Sequence, residues 1–196
     1  MEILELEGKP MNPLNGLREY LVIISPPTFI KNDVWEFKNE FFEHFGNAKY
    51  VRSQPHISLS NFLIESTPET TIFKELYHFL KDGKSFEIQI SGFESFENSK
   101  TLFLEVAETK IVDLQKKMVE VLRKRAKIAN RFTRKLEKPH ITIASKIPDY
   151  QFDQCCKYFK RIWYTNSFVI DKITILRKNH SLRESKYSLA FEINLK

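Results

Sequence analysis

Hydrophobic positions follow two different spacings along this chain, and each spacing predicts a different element. In four segments, apolar side chains recur every three or four residues, which places them on one face of a helix. The defining positions are Val34, Phe37, Phe41 and Phe45; Ile72, Phe73, Leu76 and Leu80; Ile111, Leu114, Met118 and Val121 or Leu122; and Phe152, Cys156 and Phe159. Three of these helices have predicted caps, which are Asn32 or Asp33, Thr67 followed by Pro68, and Asp149.

Between the predicted helices, apolar residues alternate with polar ones or form short continuous runs, as is typical of strands. The predicted strands cover residues 19–25, the segments after Pro55 and Pro139, and residues 86–96, 101–107, 168–177 and 187–195. Asn98 and Ser99 separate the strands at 86–96 and 101–107, which predicts a hairpin between them.

The order of these elements repeats along the chain. A helix, a histidine-containing strand, a second helix and a pair of strands occur in the first half, and the same order occurs again in the second half. Such a duplication predicts two equivalent lobes that face each other. The expected fold is α+β and bilobal, with two mainly antiparallel sheets related by pseudo-two-fold symmetry, helices outside and a cleft between the lobes. We assign residues 1–17 to an N-terminal extension and residues 18–196 to a single domain.

Two of the predicted strands begin with nearly the same motif. Pro55-His56-Ile57-Ser58 and Pro139-His140-Ile141-Thr142 each place a histidine and a hydroxyl two residues apart, and the histidines are 84 residues apart. Because side chains alternate between the faces of a strand, each histidine shares a face with its hydroxyl. One such tripeptide is weak evidence, but two copies at equivalent points of a repeated order predict a functional site.

Two imidazoles and two hydroxyls are suited to acid and base chemistry on a phosphate ester. Opening a 2′,3′-cyclic phosphate needs a base for the attacking water and an acid for the departing ribose oxygen, on opposite sides of phosphorus. Imidazole titrates near pH 6.5, so one histidine of a pair can be neutral while the other is protonated. Ser58 and Thr142 are expected to donate hydrogen bonds to the nonbridging oxygens. The sequence leaves open which of His56 and His140 is the base.

With these motifs, the chain resembles the two-histidine (2H) phosphoesterase superfamily, in its bacterial branch of 2′-5′ RNA ligase-like proteins and cyclic phosphodiesterases. The resemblance covers about residues 20–195 and is most specific at His56-Ile57-Ser58 and His140-Ile141-Thr142. It implies a bilobal fold, a metal-free cleft and phosphodiester substrates derived from RNA or nucleotides. The chain has Ser145-Lys146 where many ligase-like members carry arginine, and no glycine follows its first motif at residues 61–63.

The positive charge of the chain is concentrated in one segment. The net charge is +6, and residues 123–138, here called the basic segment, contain eight basic residues and one acidic residue. Such a field attracts phosphates or RNA, and a solvated helix end and loop is the alternative interpretation. The expected substrate-binding residues are Phe132, Arg134, Lys138 and Lys146. Phe132 is a candidate to stack on a base, with packing in a loop as the alternative.

The remaining sequence limits the class of protein. The only two cysteines, Cys155 and Cys156, are adjacent, and the sequence has no glycine-rich phosphate loop or aspartate-rich magnesium motif, so we expect neither a metal nor another cofactor. No apolar run reaches the roughly 18 residues of a membrane span. The acidic start is unlike a signal peptide, which favours a cytoplasmic location, and a monomer is assumed.

The function predicted from the sequence is that of a metal-independent phosphodiesterase. It would open 2′,3′-cyclic or related cyclic phosphates on RNA ends or nucleotides, with 2′-5′ RNA ligation as the reverse reaction at the same residues. Its expected partner is therefore RNA or a nucleotide that carries a cyclic phosphate. The alternative is an RNA-binding protein that uses the cleft and the basic segment without significant turnover.

Overall fold

A computed structural model describes residues 17–64, 68–107, 109–129, 133–135, 138–180 and 185–196 of the chain. The helices are α1 (Thr28–Phe45), α2 (Glu69–Leu80), α3 (Thr109–Lys124) and α4 (Asp149–Phe159). The strands are β1 (Arg18–Ile24), β2 (Ile57–Ile64), β3 (Phe86–Phe96), β4 (Thr101–Val106), β5 (Thr133–Lys135), β6 (His140–Ala144), β7 (Thr165–Ile170), β8 (Lys172–Asn179) and β9 (Ser188–Asn194).

The strands form a sheet with two corresponding halves. Its order is β7-β3-β4-β6-β2-β1-β8-β9, every pairing is antiparallel, and β5 lies beside β2. The series β1-α1-β2-α2 corresponds to β4-α3-β6-α4. The histidine strands β2 and β6 are the innermost strands of the two halves and lie next to each other. The predicted α+β class is confirmed. The two halves meet where Ile57 of β2 pairs with Ile141 of β6, so the two expected sheets are joined into one.

The closing strands of the chain differ from the prediction. The single strand expected over residues 168–177 is two strands, β7 and β8, with Asp171 between them. β7 pairs with β3 at one edge of the sheet, whereas β8 pairs with β1 in the other half. Apolar residues resume at Ile173 after the polar pair Asp171-Lys172, so the pattern alone did not reveal the change of partner.

The predicted starts of the helices also need correction. Helix α1 begins at Thr28, four residues before Asn32, because Ile30 extends its buried stripe by one turn. Prolines precede the helices α1, α2 and α4, and no side-chain hydrogen bond caps any of the three. A fixed proline φ orients the chain for a helix without a capping hydroxyl or carboxylate. The predicted cap Thr67 lies outside the described residues.

The hairpin of β3 and β4 is as predicted, whereas β5 was not predicted. β5 lies in the basic segment, and Thr133-Arg134-Lys135 has no apolar alternation that would indicate a strand. It pairs with β2 over residues 60–62, just beyond the histidine motif. The basic segment is therefore connected through its backbone to a histidine strand.

The core lies between the sheet and the helices and is rich in aromatic rings. Tyr20 stacks on Phe62 with centroids 5.1 Å apart, and Phe41 packs against Phe159 at 6.2 Å. These four rings are all at most 1% exposed. The opposite face of β2 and β6 carries the histidines and hydroxyls.

None of the helices in the described parts of the chain is long and apolar enough to cross a membrane. The cytoplasmic location and the monomeric state expected from the sequence stay predictions. Of the predicted N-terminal extension, the structure describes Leu17 alone, and the division into an extension and one domain is also still a prediction.

Candidate active site

The pairing of β2 with β6 brings the two motifs together. Ile57 lies opposite Ile141, so in antiparallel geometry His56 neighbours Thr142 and Ser58 neighbours His140. Directly opposite side chains in such a pair are about 5 Å apart at Cβ, and diagonal ones such as His56 and His140 about 7 Å. The four polar residues of the two motifs therefore form one cluster on one face.

Burial at the two motifs follows the alternation predicted from the sequence. Ile57, Leu59, Ile141 and Ile143 are fully buried, whereas both histidines and both hydroxyl residues are partly exposed. The apolar side chains hold each strand against the helices, and this leaves the polar side chains on the open face.

Each imidazole is oriented by a backbone carbonyl two residues before it. His56 Nδ1 lies 2.8 Å from the Gln54 carbonyl oxygen, and His140 Nδ1 lies 2.8 Å from the Lys138 carbonyl oxygen. A carbonyl accepts hydrogen bonds, so Nδ1 of each ring is the donor. Nε2 of each neutral ring is then the free basic nitrogen, and it becomes an acid when the ring is protonated.

Burial lowers the pKa of both imidazoles, and the hydrogen bonds to the carbonyls of Gln54 and Lys138 oppose that shift. The Lys38 ammonium lowers the pKa of His56 further. The charges of His56 and Lys138 lower the pKa of His140 further. Because a proton on one ring disfavours a proton on the other, the pair passes through a state with one neutral and one protonated imidazole.

Two phenylalanines that were not predicted as site residues hold the His140 ring. Phe96 contacts it edge to face with centroids 5.1 Å apart, and Phe103 contacts it at the same distance in a tilted arrangement. Phe103 lies opposite Thr142 in the sheet. Both phenylalanines lie in strands predicted from alternation, but the sequence alone did not indicate which strand pairs with the second motif.

A buried glutamine supports the first motif from the helical side. Gln115 of α3 is fully buried, and its Nε2 donates a hydrogen bond of 3.1 Å to the carbonyl oxygen of Ser58. The sequence gives one indication of this role, which is that a polar residue, Gln115, lies on the apolar stripe of α3. This contact fixes the backbone of β2 at the residue that carries the hydroxyl.

The residues predicted to bind substrate lie in different places. The Lys138 ammonium is 2.6 Å from the Glu105 carboxylate, and Glu105 lies opposite His140 in the sheet. The backbone of Arg134 in β5 pairs with Asn61, three residues after Ser58. Lys138 is therefore adjacent to the cluster, and the backbone of Arg134 lies close to it along β2.

Lys146 lies beyond the end of β6, where its amide donates to the Ser99 carbonyl at 3.3 Å in the turn of the hairpin. Its side chain is exposed, four residues beyond Thr142. Phe132 lies outside the described residues. Among the described side chains, no group of three or more histidines, cysteines, aspartates or glutamates is arranged to hold a metal ion.

Comparison with known families gives one match that spans most of the chain. The model of the 2′-5′ RNA ligase superfamily matches residues 26–181, and both histidine motifs lie within this range. No curated protein sequence matches the chain significantly.

Solved structures with the same fold have little sequence in common with this chain. Escherichia coli LigT in complex with 3′-AMP superposes with a TM-score of 0.67 at 11% identity, over 92% of this chain and 99% of that chain. TT0787 of Thermus thermophilus superposes with a TM-score of 0.65 at 14% identity, over 90% of this chain and 97% of that chain. These likenesses extend over nearly the whole fold.

Proposed function

Because the chain belongs to the 2′-5′ RNA ligase superfamily, we propose that it is a metal-independent phosphodiesterase that opens 2′,3′-cyclic phosphates on RNA ends or nucleotides. The observation that carries this proposal is the matched anchoring of His56 and His140, each with Nδ1 at 2.8 Å from a carbonyl and Nε2 left for chemistry. The same residues catalyse 2′-5′ ligation in the reverse direction.

In the proposed reaction a water oxygen attacks phosphorus while the neutral imidazole of the pair takes a proton from that water. The bond from phosphorus to one ribose oxygen breaks, and the protonated imidazole gives its proton to that oxygen. One water is consumed, and the product is a phosphate monoester beside a free hydroxyl. The hydroxyls of Ser58 and Thr142 donate to the nonbridging oxygens, where negative charge accumulates in the transition state.

Ligands of a protein with the same fold support a nucleotide substrate. Structures of E. coli LigT contain 3′-AMP, NADP⁺ or ATP. The product of opening a 2′,3′-cyclic phosphate is likewise a 2′- or 3′-nucleotide. We therefore expect the cluster of His56, Ser58, His140 and Thr142 to hold the phosphate of a nucleotide or of an RNA end.

A substrate panel tests the proposal. The protein is incubated with 2′,3′-cyclic mononucleotides, RNA ended by a cyclic phosphate, 2′-5′-linked oligoadenylate and ADP-ribose cyclic phosphate, each with and without EDTA. We expect monoester products from the first two at the same rate in both conditions, because imidazoles carry the proton transfers. Loss of turnover in EDTA, or turnover of neither cyclic phosphate, would contradict the proposal.

The location of the basic segment favours RNA binding as a second function of the same face. Arg123 at the end of α3 donates from Nε to Thr133 Oγ1 of β5 at 2.8 Å, and β5 pairs with β2 just beyond Ser58. A strand of RNA held at the histidines would therefore have basic residues beside its path. Phosphate contacts of this kind give affinity that falls steeply with salt.

We expect affinity for a cyclic-phosphate-ended RNA of about ten nucleotides to exceed that for a cyclic mononucleotide, and to fall as salt rises, because each phosphate contact releases counterions. Fluorescence anisotropy of labelled RNA between low and physiological salt measures this dependence. The matched variants are Lys124→Gln within the segment and Lys172→Gln on β8 outside it. Equal affinity for the RNA and the mononucleotide would exclude a role for the basic segment. The same dependence of affinity on salt in both variants and the wild type would also exclude it.

A further inference from the structure

A buried lysine lies behind the first histidine motif. Lys38 of α1 is 1% exposed. Its Nζ donates to the Tyr50 carbonyl oxygen at 2.7 Å and to Ser53 Oγ at 3.3 Å. Burial lowers the pKa of this ammonium to about 8, and no carboxylate among the described residues contributes to that pKa. A buried charge with no counter-ion in the described part of the chain lowers the stability of the fold, so we expect this lysine to have a role at the site.

The Tyr50 carbonyl oxygen accepts three hydrogen bonds. Besides Lys38, it accepts hydrogen bonds from the backbone amide of Ser53 at 2.9 Å and from Ser53 Oγ at 2.7 Å. Tyr50 itself has a φ of 69°, in the left-handed region that side chains other than glycine rarely adopt. Three donors on one carbonyl are the kind of excess restraint that holds a strained residue in place.

This turn is also attached to the second histidine strand. Lys49, immediately before Tyr50, exchanges two backbone hydrogen bonds of 2.9 and 2.8 Å with Ser145, which directly follows β6. The turn is thus fixed to α1 by Lys38 and to the end of β6 by Lys49. Gln54 is the next residue after Ser53, and its carbonyl holds His56 Nδ1.

We propose that Lys38 is a positioning residue for His56, which acts by holding the 50–53 turn and by placing a positive charge near the imidazole. The inference rests on the proposed phosphodiesterase function and extends it to a residue outside the two motifs. Through the turn, Lys38 fixes the carbonyl that selects the Nδ1–H tautomer. Through its charge, it favours the neutral form of the ring.

The charged groups around the two rings differ. Lys38 from α1 acts on His56, whereas His56 and Lys138 act on His140. Lys138 is paired with Glu105, whereas Lys38 has hydrogen-bond acceptors but, as far as the structure describes the chain, no carboxylate that affects its pKa. Removing the charge of Lys38 should therefore change the titration of His56 more than that of His140.

The test uses Lys38→Met, which keeps the length of the side chain and removes its charge and donors, and Lys38→Arg, which retains both. Lys31→Met, on the same helix seven residues earlier, is the matched control. We expect Lys38→Met to lower kcat for a cyclic mononucleotide about tenfold with little change in KM, as a misplaced catalytic group does. The pKa of His56, followed by NMR of its ring protons, should rise, whereas Lys31→Met should resemble the wild type.

Lys38→Arg should keep the pKa of His56 close to its wild-type value, because the charge remains. A folded Lys38→Met protein with unchanged kcat and an unchanged pKa of His56 would overturn the inference. A lower kcat with no change in the pKa would also overturn it, since a purely structural role would give that result. If Lys38→Met does not fold, Ser53→Ala removes one donor from the Tyr50 carbonyl, and a wild-type kcat in that variant would contradict the proposed restraint.

The ring titrations are measured on the free protein and do not depend on any substrate. If the wild type turns over no cyclic phosphate, the proposed function fails while the effect of Lys38 on His56 is still measured. If turnover is found and the His56 titration is the same in all variants, the role of Lys38 fails while the proposed function stands.

Discussion

Alanine in place of either His56 or His140 is expected to lower kcat for cyclic-phosphate opening by about 10³-fold. General acid or base catalysis by one imidazole is worth on the order of 10²- to 10⁴-fold. The two rings act on opposite sides of phosphorus, so neither can replace the other. Initial rates on a 2′,3′-cyclic mononucleotide measure the loss. His78→Ala is the matched control because His78 is exposed on α2 and belongs to neither motif.

The pH dependence of kcat/KM should be bell-shaped, because the active free enzyme has one neutral and one protonated imidazole. Below the lower pKa of the pair both rings are protonated and no base is left. Above the higher pKa both are neutral and no acid is left. Because burial lowers the pKa of both rings from 6.5, we expect the maximum on the acid side of pH 6.5.

Wild-type rates in both alanine variants, with folding confirmed by circular dichroism, would exclude the mechanism.

Removal of either hydroxyl, by Ser58→Ala or Thr142→Val, is expected to lower kcat by about 10²-fold with a smaller effect on KM. A donor aimed at charge that develops in the transition state contributes on the order of 10²-fold. The two hydroxyls lie on the same face as the imidazoles, each near the histidine of the other motif. Steady-state kinetics on the same cyclic mononucleotide separate kcat from KM.

Ser58→Thr and Thr142→Ser are the matched controls, since each keeps the hydroxyl and changes one methyl group. Both should retain most of the wild-type kcat. The buried amide of Gln115 holds the backbone of Ser58 in all of these variants, so the strand itself should not move. If kcat of Thr142→Ser were as low as that of Thr142→Val, loss of the hydroxyl would not explain the loss of activity.

The sequence was sufficient to predict the pairs of residues that share a face. Period-two alternation with buried isoleucines at 57 and 141 determines where His56, Ser58, His140 and Thr142 point. The duplicated order of elements also indicated that the two motifs occupy corresponding places. The pairing of Ile57 with Ile141 is a long-range contact, and no local pattern specifies it.

Other features depended on tertiary context and were missed for that reason. Lys38 falls on the apolar stripe between Val34 and Phe41, but its ammonium binds the turn at residues 50–53, and no local pattern specifies that contact. Asp171 lies between β7 and β8, but the strands that they pair with, β3 and β1, are distant in the sequence.

The measurement that tests the central claim most directly is ³¹P NMR of a 2′,3′-cyclic nucleotide incubated with the protein in H₂¹⁸O and EDTA. The proposed mechanism predicts that the cyclic resonance is replaced by that of a monoester with one ¹⁸O on phosphorus, and that the His56→Ala/His140→Ala double variant leaves the cyclic resonance unchanged. A cyclic phosphate that stays intact with the wild-type protein, or one that the double variant opens at the wild-type rate, would contradict it.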